Sequence, residues 1–326
     1  IDARRLQSSL DSLLRVTDEA GDVIAWNDDH MEKHGHLHLG RGLLTHHADS
    51  YLAVDLARNG TYYVHVADTR KHGGAAYGYR LRISPPRPDF NVKVTPPSLV
   101  IRTGLAMPVT AHADRIDGFD GPIDVVLKDP PQGITLHGGR IPAGRNAVRM
   151  TLSASARQGK RPVSLRLQGR ARIAGSVVTH RVSAAENRMQ AFLWRHLVPA
   201  ATLQVRVDGR QRIRRPFGAV AESVVALPAG GSVTFAVPAM YAPKLRSFTW
   251  KLDEPPAGIV LKNAEITKPG RLSLSLFADA NLVSPGFRDN LIIEGYVERG
   301  GKRKGQGRKR QYCVGVLPAI PVEIVP

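Results

Sequence analysis

The 326-residue chain contains one cysteine, Cys313, so no intrachain disulfide can form and its cysteine content indicates no compartment. The strand-like run QYCVGVL predicts that this thiol is buried and inert, because a reactive cysteine needs a nearby base or an electropositive, accessible setting. No run approaches the roughly eighteen apolar residues of a membrane-spanning helix. The chain starts at Ile1 without methionine or a signal peptide, which predicts a processed product or a fragment of a longer protein.

Motifs of common catalytic sites are also missing. There is no G-x-S-x-G, and GKRKGQGRKR lacks both the G-K-[ST] ending and the strand–helix context of a phosphate-binding loop. HMEKH (30–34) places Glu32 two residues after His30, whereas H-E-x-x-H places it directly after, and Gly35 interrupts the helix that this motif requires. The sequence therefore predicts that this chain is not an enzyme. Two alternatives are left open: a catalytic triad assembled from residues distant in sequence, and an activity that belongs to a longer parent protein.

Glycine and proline, in contrast, are plentiful at 31 and 23 residues, and they divide short apolar runs. This composition favours many short strands over long helices. Strands are predicted at SLLRVTD, VIAW, SYLAVDL, TYYVHVAD and GYRLRIS, before a proline-rich linker near 85–89.

The remaining chain repeats itself at an offset of about 125 residues. LKDPPQGITLHGGRI (127–141) aligns with LDEPPAGIVLKNAEI (252–266), and MTLSASA (150–156) aligns with LSLFADA (274–280). In the D/E-P-P-x-G unit the prolines end one strand and the glycine permits the turn into the next. Two copies of one strand order predict two related immunoglobulin-like sandwiches at 85–184 and 199–326. Between them, helical spacing of apolar residues and Pro199 predict a linker helix at 185–198.

Residues 1–84 resemble the bacterial pre-peptidase C-terminal domain. The matching motifs are DSLLRVTD, the WNDD turn, a second D-S-x-L in ADSYLAVDL, the strand TYYVHVAD and the closing YRLRIS. The resemblance implies a jelly-roll-like β-sandwich, an extracytoplasmic address and a non-catalytic role beside a secreted enzyme. Relatives carry strands upstream of the first D-S-x-L, and these are expected either to be missing here or to come from another segment of the chain. The later segments are more loosely similar to large secreted proteins of planctomycete-type bacteria.

Two metal sites are considered. Oxygen ligands from separate loops suit calcium, and the candidates are Asp11, Asn27, Asp28, Asp29 and Asp49. The alternative is that these side chains form hydrogen bonds with turn amides. The absence of the calcium-loop motif D-x-D-x-D-G favours this alternative. His34, His36 and His38 would share one face of a strand and could hold a transition metal, but glycines on both sides favour an exposed loop.

The net charge of +18 belongs to the last two-thirds of the chain, since residues 1–84 carry 10 cationic against 11 acidic side chains. Such a field attracts polyanions or acidic surfaces. Two basic clusters are the candidate polyanion sites: Arg210, Arg212, Arg214, Arg215, Lys302, Arg303, Lys304, Arg308, Lys309 and Arg310. The alternative is a solvated hairpin that protects strand edges. Nucleic acid is not favoured, because only 6% of residues are aromatic and stacking platforms need them.

The sequence thus predicts an all-β protein: a jelly-roll-like sandwich followed by two immunoglobulin-like sandwiches. The predicted function is a non-catalytic accessory module at the cell surface, in the periplasm or outside the cell. It would bind an anionic polysaccharide or an acidic protein surface, with calcium as a possible cofactor. A structural subunit or stalk of a cell-surface assembly, and a non-catalytic part of a secreted peptidase, are the alternatives.

Overall fold

A computed structural model describes residues 1–3, 6–34, 43–47, 49–155, 161–189, 195–208, 224–238, 248–268, 270–299 and 310–326. Only the backbone is described at 30–34, 43–47, 195–196, 268, 299 and 310. These residues form strands and turns without an α-helix, so the all-β prediction is confirmed. In this part of the chain, no helix has the length and apolar character to cross a membrane.

Contacts divide the chain into two compact units. Unit 1 comprises Ile1–Pro88, Ile116–Gly118 and Asn187–Val198. Unit 2 comprises Asp89–Arg115, Phe119–Glu186 and Pro199–Pro326.

Unit 1 contains a small antiparallel sheet and a hairpin. Its strands are β1 (Ser12–Thr17), β2 (Val23–Asn27), β3 (His30–His34), β4 (Leu43–His47) and β5 (Tyr63–Asp68). The sheet has the order β2-β1-β5, and β3 pairs with β4. Strand β1 buries Ser12, Leu14 and Val16, because alternate side chains of a strand point to one face. The sequence-predicted strands at SLLRVTD, VIAW and TYYVHVAD are therefore confirmed.

Two predicted strands of unit 1 are not formed. Residues 50–56 and 78–84 carry no strand, apart from a single bridge between Asp2 and Arg80. Residues 50 and 51 are held by side-chain hydrogen bonds in place of a ladder: Ser50 Oγ donates to Asp28 O at 3.0 Å, and Tyr51 N donates to Asn27 Oδ1 at 3.0 Å. The alternation of apolar and polar residues was therefore not sufficient to predict strands in these two segments, since a strand also needs a partner backbone along its edge.

The first part of unit 2 is a sandwich with its own core. Its strands are β6 (Asp89–Thr95), β7 (Ser98–Arg102), β8 (Ala106–Ile116), β9 (Ile123–Lys128), β10 (Ile134–His137), β11 (Arg140–Ile141), β12 (Ala147–Ala154), β13 (Val163–Ile173), β14 (Ser176–Arg181) and β17 (Leu203–Asp208). The chain passes into unit 1 within β15 (Ser183–Met189) and returns to unit 2 at the end of β16 (Arg195–Pro199). One layer holds β6, β8, β12 and β10; the other has the order β11-β9-β13-β17-β7, with β14 also paired to β13. Phe90, Ile101, Ile123, Met150 and Leu152 are fully buried between the layers.

The second sandwich of unit 2 follows the same plan. Its strands are β18 (Val225–Pro228), β19 (Ser232–Pro238), β20 (Thr249–Leu252), β21 (Ile259–Lys268), β22 (Arg271–Ala278), β23 (Arg288–Leu291), β24 (Ile293–Arg299), β25 (Arg310–Val316) and β26 (Ile320–Val325). They form the groups β18-β26-β23, β19-β22-β21 and β20-β24-β25 around a core that includes Leu227, Trp250, Leu274 and Leu276.

The predicted internal repeat is confirmed in turn geometry. Asp129 and Glu254, the first residues of the two D/E-P-P-x-G units, have positive φ angles of 47° and 43°. Gly133 and Gly258, the last residues, have φ angles of 82° and 87°, which glycine adopts without the steric cost that a Cβ would bring. The strand order repeats too, since β7 pairs parallel to β17 and β18 pairs parallel to β26.

The two sandwiches of unit 2 share one nine-stranded sheet, in which Val316 of β25 pairs with Ala106 of β8, and they are also tied by polar contacts, which we term the joint. Arg149 Nη2 lies 2.5 Å from Asp253 Oδ2, and Arg145 Nη2 lies 2.7 Å from Asp289 Oδ2. The side chain of Asn290, only 7% exposed, donates to the carbonyl oxygens of Gly138 and Arg149 at 2.7 and 2.8 Å. The joint therefore consists of directional bonds whose partners come from both repeats.

The predicted linker helix at 185–198 is wrong. Residues 183–189 form β15, whose Ser183 and Ala184 pair with Lys93 and Val94 of β6, and β16 covers 195–199. Residues 190–194 lie outside the described residues. Ladder pairing with β6 stabilises the extended form, and tertiary pairing of this kind overrides a weak helical periodicity.

Cys313 also differs from its prediction. It lies in β25 opposite Tyr296, but it is exposed rather than buried. Partial burial of the sulfur, assisted by the carboxylate of Glu294, raises the pKa of the Cys313 thiol above its ordinary value. The thiol is thus accessible while its reactive thiolate form is disfavoured.

Candidate functional site

The two D-S-x-L motifs of unit 1 meet through their serines. Ser12 and Ser50 are buried, and their hydroxyl oxygens lie 2.7 Å apart. Ser50 N donates to Ser12 Oγ at 2.9 Å, so the second motif docks on the first strand. This pairing explains why the same three-residue pattern occurs twice in the segment.

The five candidate calcium ligands are distributed along these motifs and engaged in hydrogen bonds. Asp49 Oδ1 accepts from Ala3 N at 3.0 Å, and Asp28 Oδ1 accepts from Asp29 N at 2.9 Å. Asn27 Nδ2 donates to the carbonyl oxygen of Asp29 at 2.9 Å. Turn residues with short polar side chains make such local bonds to backbone groups.

Asp11 faces a different set of residues, at the start of β1. Its Oδ2 accepts from Thr69 Oγ1 at 2.7 Å, and Arg70 Nε lies 3.7 Å away. Within the described part of the chain, no group of three histidine, cysteine, aspartate or glutamate side chains is placed to hold a metal ion. Calcium binding by the five residues stays a sequence prediction, and the hydrogen bonds above are what they do in this structure.

One unpredicted carboxylate, Asp68, organises the end of β5. Its Oδ1 accepts from Asp11 N at 2.9 Å, and its Oδ2 accepts from the amides of Arg70 and His72, each at 3.0 Å. The amide of His72 above all, with those of Asp11 and Arg70, holds the pKa of this carboxyl below its ordinary value. Its signal in the sequence is an aspartate directly after a strand and before polar residues, which is typical of a turn.

The histidine-rich segment starts as a strand. Residues 30–34 form β3 and 43–47 form β4, with His30 opposite His47. Because HMEKH is extended, the helical pair of imidazoles that zinc peptidases use is not formed. His36 and His38 lie outside the described residues, so the histidine metal site stays a prediction.

Both predicted basic clusters fall mainly outside the described residues. This applies to Arg210, Arg212, Arg214, Arg215, Lys302, Arg303, Lys304, Arg308 and Lys309. Arg310 begins β25, opposite Arg299 of β24, and only its backbone is described.

A third basic surface, which the sequence analysis missed, lies on the first sandwich of unit 2. We term it the arginine face: the outer side of the sheet β11-β9-β13-β17-β7 with β14. Strand β13 reads VSLRLQGRARI, and Leu165, Leu167 and Ala171 are buried while the intervening side chains point outward. The exposed cations of this face are Arg102, Lys128, Arg140, Arg166, Arg170, Arg172, Arg181 and Arg206.

Strand register collects these cations from separate segments. Arg166 lies opposite Lys128 of β9, and Gln168 lies opposite Arg181 of β14. Directly opposed residues share a face of the sheet, so cations from β9, β13 and β14 are neighbours. Along β13 itself, Arg170 and Arg172 are about 7 Å apart from the rise of a strand.

Three carboxylates offset part of this charge. Arg140 pairs with Asp124 at 2.9 Å, Arg166 with Asp129 at 3.0 Å, and Arg206 with Asp208 at 3.3 Å. All six side chains are exposed, and exposed pairs of this kind contribute about 0–1 kcal/mol, so a ligand can displace them.

The other arginines of β13 and β14 form no ion pair within the described residues, although the ladder places Arg170 opposite Asp124, the partner of Arg140. Arg170 Nη2 donates to Gln168 Oε1 at 3.0 Å, and Arg172 Nη1 donates to the Gly175 carbonyl at 3.0 Å. Neutral acceptors leave a guanidinium its full positive charge, so this part of the face attracts anions.

The arginine face also has a local depression. It lies beside β13 where β14 ends and β17 begins, and its lining includes Arg166, Arg181, Ser183 and Thr202. The outward positions of the described strands around it carry no aromatic ring: β13 presents Ser164, Arg166, Gln168, Arg170 and Arg172, and β14 presents Val177, Thr179 and Arg181. The surface therefore suits charged groups rather than stacked rings.

No family model matches the chain, and no curated protein is significantly similar to it in sequence.

Proposed function

We propose that this protein is a non-catalytic extracytoplasmic module that retains its parent protein or assembly on an anionic polysaccharide. The observation that carries the proposal is the arginine face, with its eight exposed cations against three carboxylates on one sheet. A sheet that presents several cations can contact an extended polyanion at several points at once, and each additional contact adds to retention.

Guanidinium groups are well suited to this role. Each presents five donors in a planar fork that matches a carboxylate, sulfate or phosphate group. Seven of the eight cations of the arginine face are arginines, and Lys128 is the exception. The lack of aromatic rings on the outward positions of β13 and β14 argues against single-stranded nucleic acid, whose bases stack on such rings.

Chromatography on immobilised heparin tests the proposal. Replacing both Arg170 and Arg172 with glutamate removes two of the unpaired cations, and we expect the protein to elute at clearly lower salt. The control variant replaces Arg58 and Arg271, exposed arginines outside the arginine face, and changes the net charge equally. Equal losses in the two variants would show retention by overall charge and would contradict a role for this face.

A third variant tests the predicted basic segment separately. Charge reversal at Lys302, Arg303 and Lys304 should lower retention further if that segment binds the same polymer. Absence of retention for the unaltered protein, on heparin and on alginate alike, would refute the proposed function.

A second candidate function is a structural spacer of a cell-surface assembly, and the joint supports it. Arg149–Asp253, Arg145–Asp289 and the buried Asn290 tie the two sandwiches of unit 2 together. Small-angle X-ray scattering of the whole chain tests this function. A scattering curve that fits only if the two sandwiches of unit 2 move independently would exclude a rigid spacer.

A further inference from the structure

The depression on the arginine face results from the way two strands share one flank of β13. Strand β17 pairs with residues 163–165 of β13, and β14 pairs with residues 168–173. After Arg181 the chain leaves this sheet, since Ser183 pairs with Lys93 of β6 in the other layer. The flank of Arg166 and Leu167 thus lies between two strand ends.

Four of the described residues that line this depression have donor side chains, and the other seven are apolar: Leu165, Leu167, Val182, Ala184, Ala200, Ala201 and Leu203. Arg166 and Arg181 stand beside it from β13 and β14, and Ser183 and Thr202 bring hydroxyl groups from the two strand ends. Among the residues that the structure describes, the lining contains no carboxylate, and the bond from Arg166 to Asp129 is an exposed pair outside it. Among the described residues, no carboxylate lies within ion-pair distance of Arg181.

We infer that this depression is the subsite for one tetrahedral oxyanion, a sulfate or phosphate ester, carried by the polysaccharide. The inference rests on the proposed function and specifies which acidic group the polymer carries. Two guanidinium forks and two hydroxyls offer more donors than a carboxylate with two oxygens can accept in good geometry, whereas an ester of this kind has three terminal oxygens.

The inferred ligand chemistry separates sulfated or phosphorylated chains from uronate chains. Elsewhere on the arginine face, Arg102 and Arg172 act by charge and should contribute equally to both kinds of polymer. At the depression, Arg166 and Arg181 donate directional hydrogen bonds, and those bonds distinguish a sulfate or phosphate ester from a carboxylate.

Titration of the whole chain with fluorescently labelled octasaccharides tests the inference, using heparin as the sulfated probe and polymannuronate as the carboxylated one. The Arg166→Gln, Arg181→Gln double variant should lose about tenfold in affinity for heparin, as expected when charge-assisted bonds are removed, and about twofold for polymannuronate. The Arg102→Gln, Arg172→Gln variant is the matched control, and it should lose about twofold for both. Thermal unfolding of each variant confirms that the fold is intact.

The outcomes separate the inference from the proposed function. Equal losses in both double variants, or a preference for polymannuronate, would overturn the oxyanion subsite and leave polyanion binding in place. Failure of the unaltered protein to bind either octasaccharide would overturn both. Competition by inorganic sulfate or phosphate, whichever acts at lower concentration, identifies the ester, and tighter binding of single-stranded DNA than of heparin would refute the assignment to a polysaccharide.

Discussion

Replacement of Asn290 with leucine tests whether the joint stabilises unit 2. The side-chain amide nitrogen of Asn290 donates to the carbonyl oxygens of Gly138 and Arg149, and the residue is 7% exposed. Leucine has a similar size and no donor, so both carbonyl oxygens lose this partner without a large cavity forming. The side chain of Asn290 packs closely against Gly138, where an added Cβ would contact it and would lie 2.8 Å from Cβ of Ala319.

The expected cost follows from those two bonds. A buried polar group that loses its partner costs about 1–3 kcal/mol, so two such groups predict a loss of about 2–6 kcal/mol in the free energy of unfolding. The conservative change Asn290→Asp should cost at least as much, because a carboxylate cannot donate and would face two carbonyl oxygens. Asn281→Ala is the control, since Asn281 is exposed and bonds to the nearby Asp279, and it should change stability by less than about 0.5 kcal/mol.

Urea denaturation followed by tryptophan fluorescence measures this loss. Trp250 is buried in the core of the second sandwich, so its emission reports unfolding of the repeat to which Asn290 belongs. At a slope of about 2–3 kcal/mol per molar urea, the predicted loss lowers the midpoint by roughly 1–3 M. A midpoint for Asn290→Leu that matches the Asn281→Ala control would refute the reasoning, because it would mean that the joint carries no net energy.

Two further predictions concern titratable groups. In unit 1, the lowered pKa of Asp68 means that its ionised form stabilises the fold above the ordinary aspartate pKa, and that this stability is lost as the pH falls below about 4 through the folded pKa. The hydrogen-exchange protection factors of β1 and β5, which are corrected for the intrinsic pH dependence of exchange, should therefore fall at acid pH in the wild type and depend less on pH in Asp68→Asn. Equal pH dependence of the protection factors in both proteins would contradict this. In unit 2, iodoacetamide should modify Cys313 completely in the native protein, because this residue is exposed. The reaction at pH 7.5 should be slower than that of free cysteine, because the pKa of the Cys313 thiol is raised. A rate equal to that of free cysteine, or a requirement for denaturant, would contradict the described environment.

The strands and the repeat were predictable because their signals are local. Alternation in SLLRVTD requires only that one face of β1 be buried, and the D/E-P-P-x-G units set their own turn through proline and a glycine with positive φ. The segments 50–56 and 185–198 were predicted wrongly for the opposite reason. Each takes its conformation from distant partners, Ser12 and Asn27 in the first case and β6 in the second.

The arginine face shows why the candidate site was harder to find than the fold. A basic cluster such as GKRKGQGRKR is recognisable in the sequence because its charged residues are adjacent. In contrast, Arg166, Arg170 and Arg172 are separated in sequence by residues that pack in the core. The alternation of VSLRLQGRARI could have indicated an outward cationic row on β13. The contributions of Lys128 and Arg181 could not be read this way, since they depend on which strands lie beside β13 and in which register.

This placement has a physical consequence. Leu165 and Leu167 anchor β13 in the core, so the arginines between them are held on a fixed backbone, and less backbone entropy is lost when they bind a ligand. A shift of β13 by one residue would exchange the buried leucines with the exposed arginines, which the core excludes because burying an unpaired charge is far more costly than any gain on the surface. Hydrophobic packing therefore fixes both the fold of this sheet and the spacing of its cations.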